Sequence, residues 1–236
     1  MFISCGSGAA PRGLPVFLPT TEAAAAGDPD TCVWEFTGGA GAGETGVGGP
    51  LTGADLVLTP FGAPPAAVGG YRALTGHNMG FQATAVALAA LLGGTEGTIA
   101  WLIKNLARDV GYNFTQAQYI AGHVWTGGYV DMYAIPEGSA GLSYGMAPKT
   151  VVSLTNPTWL TYSFKNGTAA WMISEVGLPT MYSDVPVNNR VIVTSVKQIP
   201  TFASIDIIGR STASAGANFD IGCLVISRKA IGLPIF

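Results

Sequence analysis

The chain has 236 residues, a length that suits one large β domain or two small ones. Charged residues make up 11%, where about 25% is usual, so a lone monomer would be poorly soluble and much of the surface is expected to lie against other subunits or partners. A net charge of -3 without a basic cluster argues against a nucleic-acid binder.

Residues 1–31 differ from the rest. Small, irregular stretches at Ser7–Pro11 and Ala23–Gly27 flank Leu14-Pro15-Val16-Phe17-Leu18-Pro19, an apolar run stopped by proline at both ends. This reads as an extended N-terminal docking arm, which either seats on a neighbour or wraps its own domain. Met1 to Cys5 lacks the basic start of a signal peptide, so synthesis in a cytoplasm is expected. Cys5, Cys32 and Cys223 form an odd, widely spaced set; buried thiols are the simple reading, a disulfide or metal ligand the other.

From residue 32 to 236 the chain reads as short strands. Cys32 to Thr37 alternates and opens the domain. Gly38 to Gly53 is a Gly-rich loop without the Gly-Lys-Ser/Thr ending of a phosphate loop. Asp55 to Thr59 reads as a strand closed by Pro60. Tyr71 to Leu74 and Asn78 to Gln82 read as brief strands. Residues 84–92 fit a turn or two of helix or a buried extended run, and periodicity alone does not decide. The apolar run Ala83 to Leu92 ends at Gly93-Gly94, well short of the roughly 18 to 20 residues of a membrane span, so no membrane partner is expected.

Gly97 to Lys104 is a strand with Ile99, Trp101 and Ile103 on one face and Ala100 and Leu102 on the other, so both faces are expected to be covered. Further strands follow at Gln118–Val124, Gly128–Ile135, Leu142–Met146 and Thr150–Leu154. Thr158 to Gly177 is the strongest local signal. Leu160, Tyr162 and Phe164 alternate with Trp159, Thr161, Ser163 and Lys165, and Asn166-Gly167 demands a type I′ hairpin turn. Arg190–Gln198, Ala203–Gly209 and Phe219–Ile231 complete the set, the last with Phe219, Ile221, Cys223 and Val225 expected on one side. About a dozen short strands with almost no helix predict an all-β, antiparallel two-sheet jelly-roll sandwich.

Few residues suggest chemistry. His77 and His123 are the only histidines, too few and too scattered for zinc, and no Gly-x-Ser-x-Gly nucleophile elbow occurs. No strand carries two acids at a spacing suited to glycoside cleavage; Asp28 and Asp30 are close but flank Pro29 in the arm. Tyr129, Asp131 and Tyr133 stand at i, i+2 and i+4 beside Trp125. Aromatics next to a carboxylate suit a sugar, and a subunit interface or core face accounts for the same pattern. Trp125, Tyr129, Asp131 and Tyr133 are the candidate ligand-binding residues. No catalytic residue, metal or cofactor is assigned.

The order of features resembles the concanavalin A-like lectin/glucanase family, laminin G-like branch, over residues 32–231. The motifs are Trp34-Glu35-Phe36, Leu56-Val57-Leu58, the strand Thr98 to Lys104, the hairpin Trp159 to Trp171, Ile207-Ile208-Gly209, and Phe219-Asp220-Ile221-Gly222 running on to Arg228. Cys223-Leu224 stands where that family usually has an acid, and Asp131, Asp184 and Asp206 are isolated, so no calcium site is expected. With its arm and low charge, the chain is similar to sandwich domains of tailed-bacteriophage virion proteins. The resemblance implies a non-enzymatic capsid decoration, head fibre or similar surface module, made in the host cytoplasm and located in the virion. It would bind capsid or tail proteins and itself as a homo-oligomer, most simply a trimer. The alternative is a carbohydrate-binding module for attachment to cell-surface glycans.

Overall fold

The structure is a computed structural model that describes residues 18–75, 78–107, 118–120, 130–134, 140–144, 151–152, 155–166, 168–175, 181–182, 204–209, 211 and 217–230. Its strands in chain order are β1 (Thr31–Glu35), β2 (Glu44–Thr45), β3 (Val47–Gly48), β4 (Val57–Phe61), β5 (Arg72–Leu74), β6 (Gly80–Thr84), β7 (Glu96–Ala107) and β8 (Gln118–Tyr119). There follow β9 (Val130–Ala134), β10 (Ala140–Tyr144), β11 (Val151–Val152), β12 (Thr158–Lys165), β13 (Thr168–Glu175), β14 (Met181–Tyr182), β15 (Ser204–Gly209) and β16 (Asn218–Ser227). Two α-helices accompany them, α1 (Glu22–Ala25) and α2 (Ala85–Leu92).

Among the described residues the chain is mostly β and every strand pairing is antiparallel. An eight-stranded sheet runs β14-β13-β12-β7-β16-β1-β3, with β5 joined to β16 beside β1. A four-stranded sheet, β15-β6-β4-β2, stacks on it, and β11-β10-β9-β8 forms a separate four-stranded sheet. The main core lies between the first two. Ile99, Trp101, Ile103, Leu160, Tyr162, Phe164, Leu224 and Ile226 meet Leu58, Phe81, Ile205, Ile207 and Ile208 there. Two tryptophans bridge that core: Trp101 Nε1 donates to Ile207 O at 3.0 Å and Trp34 Nε1 to Leu56 O at 2.7 Å. Each indole thus fills the interior and satisfies its single donor there.

The hairpin forms as the Asn-Gly signal requires. Lys165 pairs with Thr168, and Asn166 takes φ 45°, the left-handed region that a type I′ turn needs. The run 84–92 resolves into helix. Thr84 Oγ1 accepts from Ala87 N at 3.0 Å as N-cap, Gly93 closes the other end, and Ala87, Leu88, Leu91 and Leu92 are buried at helical spacing.

Three sequence expectations are corrected. The alanine stretch expected to be irregular makes one helical turn, α1, capped by the Thr21 hydroxyl. Pro60 does not end a strand; it lies within β4, paired with Phe81, where β4 leaves β2 and crosses to β6. Phe219 and Ile221 do not share a face with Cys223 and Val225. A bulge at Gly222 sets Ile221 opposite Ile103 and Cys223 opposite Leu102, so one extra residue inverts the alternation. Phe219, Ile221, Leu224 and Ile226 therefore enter the main core.

Cys223 and Val225 turn to the opposite face of the eight-stranded sheet. There Val33, Ala100 and Ala25 are buried with them, and Leu18, Leu102 and Trp159 pack alongside. Residues 18–26 thus cover part of this outer face as a strap. Glu35 N donates to Glu22 Oε1 at 3.2 Å, and the strap's end is fixed where Arg228 Nη2 and Lys229 Nζ meet Asp30 at 2.9 and 2.7 Å.

Candidate functional site

Of the four residues singled out in the sequence, Trp125 and Tyr129 lie outside the described residues. Asp131 and Tyr133 are two apart on β9. Asp131 pairs with Ser143, and Tyr133 pairs with Gly141 on one side and Tyr119 on the other. His77 and His123 also lie outside the described residues, as does Cys5. Cys32 and Cys223 are buried, and burial pushes the Cys32 thiol up to about 11, so it is protonated at neutral pH. Among the described residues no three His, Cys, Asp or Glu side chains converge as a metal site would require, and no helix is long and apolar enough to cross a membrane.

Two arrangements that sequence reasoning missed stand out. The first is built on Arg72. It is the opening residue of the short strand β5, and the alternation that buries Leu74 buries Arg72 as well. Its side chain is completely enclosed, and all five of its N–H donors are used. Nη1 donates to Glu44 Oε1 at 2.6 Å and Ala42 O at 2.7 Å; Nε to Pro65 O at 2.9 Å; Nη2 to Gly39 O at 2.9 Å and Pro64 O at 3.1 Å. The guanidinium carbon also lies 5.0 Å from the centre of the Phe81 ring. Gly38 N donates to both oxygens of Glu44, at 3.1 Å to Oε1 and 3.2 Å to Oε2. One buried cation thereby ties together the loops 37–43 and 62–70.

Backbone bonds finish the brace, from Gly41 N to Pro64 O at 2.8 Å and from Ala67 N to Gly38 O at 3.0 Å. Two tight turns, Gly62-Ala63 and Gly69-Gly70, have both residues at positive φ. What this frame presents outward is apolar and uncharged. Residues 36–43 and 60–71 hold no Asp, Glu, Lys or Arg. Ala40, Ala42, Ala63, Pro65 and Ala66 are exposed there, and Val68 at the tip is 80% exposed. Glu44 and Arg72 neutralise each other beneath it.

The second arrangement is polar and lies where β7 meets β16. Lys104 pairs with Asp220, with a bulge on either side: one in β7 at Asn105-Leu106, one in β16 at Gly222. Asn105 has φ 54°, a conformation in which an Asn is tolerated at a bulge. Its Nδ2 donates to Asp220 Oδ2 at 2.8 Å. Lys104 Nζ lies 4.0 Å from the same oxygen and 3.9 Å from the centre of the Tyr71 ring. Tyr71 lies against Gly222, where an added Cβ would come within 2.7 Å of the ring. The Tyr71 hydroxyl is enclosed and has no hydrogen-bond partner among the described residues, and burial, with Asp220 and Cys223 nearby, pushes its ionisation upward.

Lys165 and Glu96 pair at 2.9 Å with side chains 53% and 38% exposed, an interaction worth about 0–1 kcal/mol. Asp206 has both oxygens engaged, by Gln82 Nε2 at 2.8 Å and by Ser211 N and Oγ at 2.8 and 2.9 Å.

No family model and no curated protein matches the chain. Solved structures of Trypanosoma rangeli sialidase do. The covalent intermediate with difluorosialic acid aligns with TM-score 0.55 at 13% identity over 86% of this chain and 31% of that one. A second structure of the same sialidase aligns with TM-score 0.52 at 10% identity over 85% and 30%. The chain thus spans about a third of the length of the sialidases it matches. At such identity the likeness shows the fold alone.

That likeness corrects the expectation that the chain is not an enzyme. A sandwich of this shape forms part of sialidase chains, so a missing pair of acids on one strand does not separate this fold from enzymes. Paired strands can bring acids together from distant parts of a sequence, which strand-by-strand inspection does not see.

Proposed function

We propose that the chain is an assembly module of a bacteriophage virion, a capsid decoration, head fibre or similar surface protein, and that its sandwich is a concanavalin A-like jelly roll. The observation that carries this reading is the rim over Arg72. Cores of protein–protein interfaces are depleted in charge, and rigid surfaces lose little conformational entropy on docking. The rim combines both properties: no charged side chain across two loops, and a buried arginine that fixes four of their carbonyls. The low overall charge and the order of motifs from Trp34 to Arg228 support the virion assignment.

The partners in this reading are further copies of the chain, most simply as a trimer, and neighbouring capsid or tail proteins. Light scattering of the native chain and of Val68→Asp tests it. The native chain should run as a homo-oligomer, and Val68→Asp, which leaves the Arg72 brace intact, should shift it towards monomer. A native chain that is a monodisperse monomer with no affinity for phage particles would sink the proposal.

A further inference from the structure

The pair formed by Lys104 and Asp220 is set apart by backbone geometry. The bulges at Asn105-Leu106 and Gly222 confine regular pairing between them to Lys104–Asp220 and Ile103–Ile221. Ile103 and Ile221 face the core, and the two charged residues face outward. Bulges of this kind re-aim side chains and recur beside binding and active sites. Here two of them, one on each strand, flank a single pair of polar residues.

The chemistry of the group is unfinished. At 4.0 Å the ammonium and carboxylate attract but do not hydrogen-bond, so Lys104 keeps its donors available. Asn105 occupies Asp220 Oδ2, and among the described residues Oδ1 has no hydrogen-bond donor. Asn105 also has its own Oδ1 available, and the side chains of Lys104 and Asp220 are 27% and 24% exposed. Beside them an aromatic ring is covered by the lysine ammonium, and its hydroxyl has no partner among the described residues. Donor, acceptors and ring therefore converge with their capacity only partly used.

We propose that Tyr71, Lys104, Asn105 and Asp220 form a binding subsite for a neutral vicinal diol, carried by a glycoside or an open-chain polyol. One hydroxyl accepts from Lys104 Nζ and donates to Asp220 Oδ1; its neighbour donates to Asn105 Oδ1. Lys104 acts as a movable cover. When it swings to the ligand it uncovers the Tyr71 ring for the ligand's C–H face and opens the enclosed phenol to a hydroxyl. Neutrality follows from the site itself, because the lysine and aspartate charges cancel and an ionic ligand would leave one of them unpaired. This inference does not rest on the assembly reading, although Tyr71 stands at the edge of the uncharged rim.

The test is saturation-transfer NMR of the full chain with methyl α-mannoside, methyl β-galactoside, methyl β-glucoside and sorbitol, each up to about 10 mM, where weak single-sugar sites bind. At least one probe should bind, and Asp220→Asn and Lys104→Met should each weaken it about tenfold or more. Glu96→Gln, an exposed carboxylate elsewhere, should bind as the native chain does. Binding by the glycosides without sorbitol assigns the diol to a sugar ring, and binding by sorbitol as well assigns it to polyols in general. No binding by any probe, or binding unchanged in both site variants, would overturn the inference. If Asp220→Asn lowers the melting temperature, Lys104→Met, whose side chain leaves the backbone pairing intact, decides.

Discussion

Arg72 Nη1 and Glu44 Oε1 lie 2.6 Å apart with both side chains out of contact with water, and each is held by backbone groups of the loops they join. Removing one partner from such a pair leaves the other buried and uncompensated, at a cost of about 3–5 kcal/mol. Arg72→Met should reach this range, since it also strips the donors from four carbonyls. Glu44→Gln should cost less, because an amide oxygen still accepts from Gly38 N and Arg72. Urea denaturation of both variants gives the order; equal losses, or none, would contradict the brace.

Glu22 carries a pH dependence of opposite sign to most surface carboxylates. Burial raises its ionisation above the ordinary 4.5, the Glu35 amide hydrogen bond pulls it back, and the Glu35 and Glu44 charges push it up again. A carboxyl whose folded pKa is raised disfavours the fold once ionised; that penalty is full above the folded pKa and disappears as pH falls through it to below the unfolded value. Glu22→Gln should therefore raise the denaturation midpoint at pH 7, while below pH 4 the variant and native midpoints should coincide. The amide oxygen keeps the Glu35 hydrogen bond, so a lower midpoint at pH 7 would show that the charge is not a burden on the strap.

Much of the frame was legible because local chemistry and tertiary packing agreed. Asn166 needed a left-handed conformation, and the alternation of Leu160, Tyr162 and Phe164 needed an opposing sheet; both requirements are met. Periodicity left the run 84–92 open because it is apolar nearly throughout; the caps at Thr84 and Gly93 are the local signals that separate helix from strand there. Arg72 was not legible. A charged residue in a short strand reads as a solvent-facing position, and only the fold shows carbonyls from Gly39, Ala42, Pro64 and Pro65 converging on it. The Tyr71–Lys104–Asp220 group was hidden for a similar reason. Its members come from three strands or their flanks, and two bulges set their relation. The sequence-based candidates, by contrast, were chosen from within one stretch, of which Trp125 and Tyr129 lie outside the described residues.

Gly222 offers the sharpest test of that bulge. Alternation along Phe219 to Val225 would bury Cys223 with Ile221, yet Cys223 reaches the strap, where its Sγ lies 3.5 Å from Thr20 O. The inversion needs an extra residue at position 222 whose carbonyl accepts from Phe36 N at 3.1 Å and whose missing side chain leaves room for the Tyr71 ring. A methyl group there would sit 2.7 Å from that ring, closer than carbon atoms approach, so the tyrosine must move. Gly222→Ala should destabilise the chain by about 1–3 kcal/mol, the usual cost of overfilling a packed site. Tyr71→Ala in the same background should restore part of the loss, because the clash is with that ring and not with the backbone. A double-mutant cycle measures the coupling directly. Additive losses would mean that Gly222 is needed for the bulge conformation alone and that Tyr71 is not held where the structure puts it.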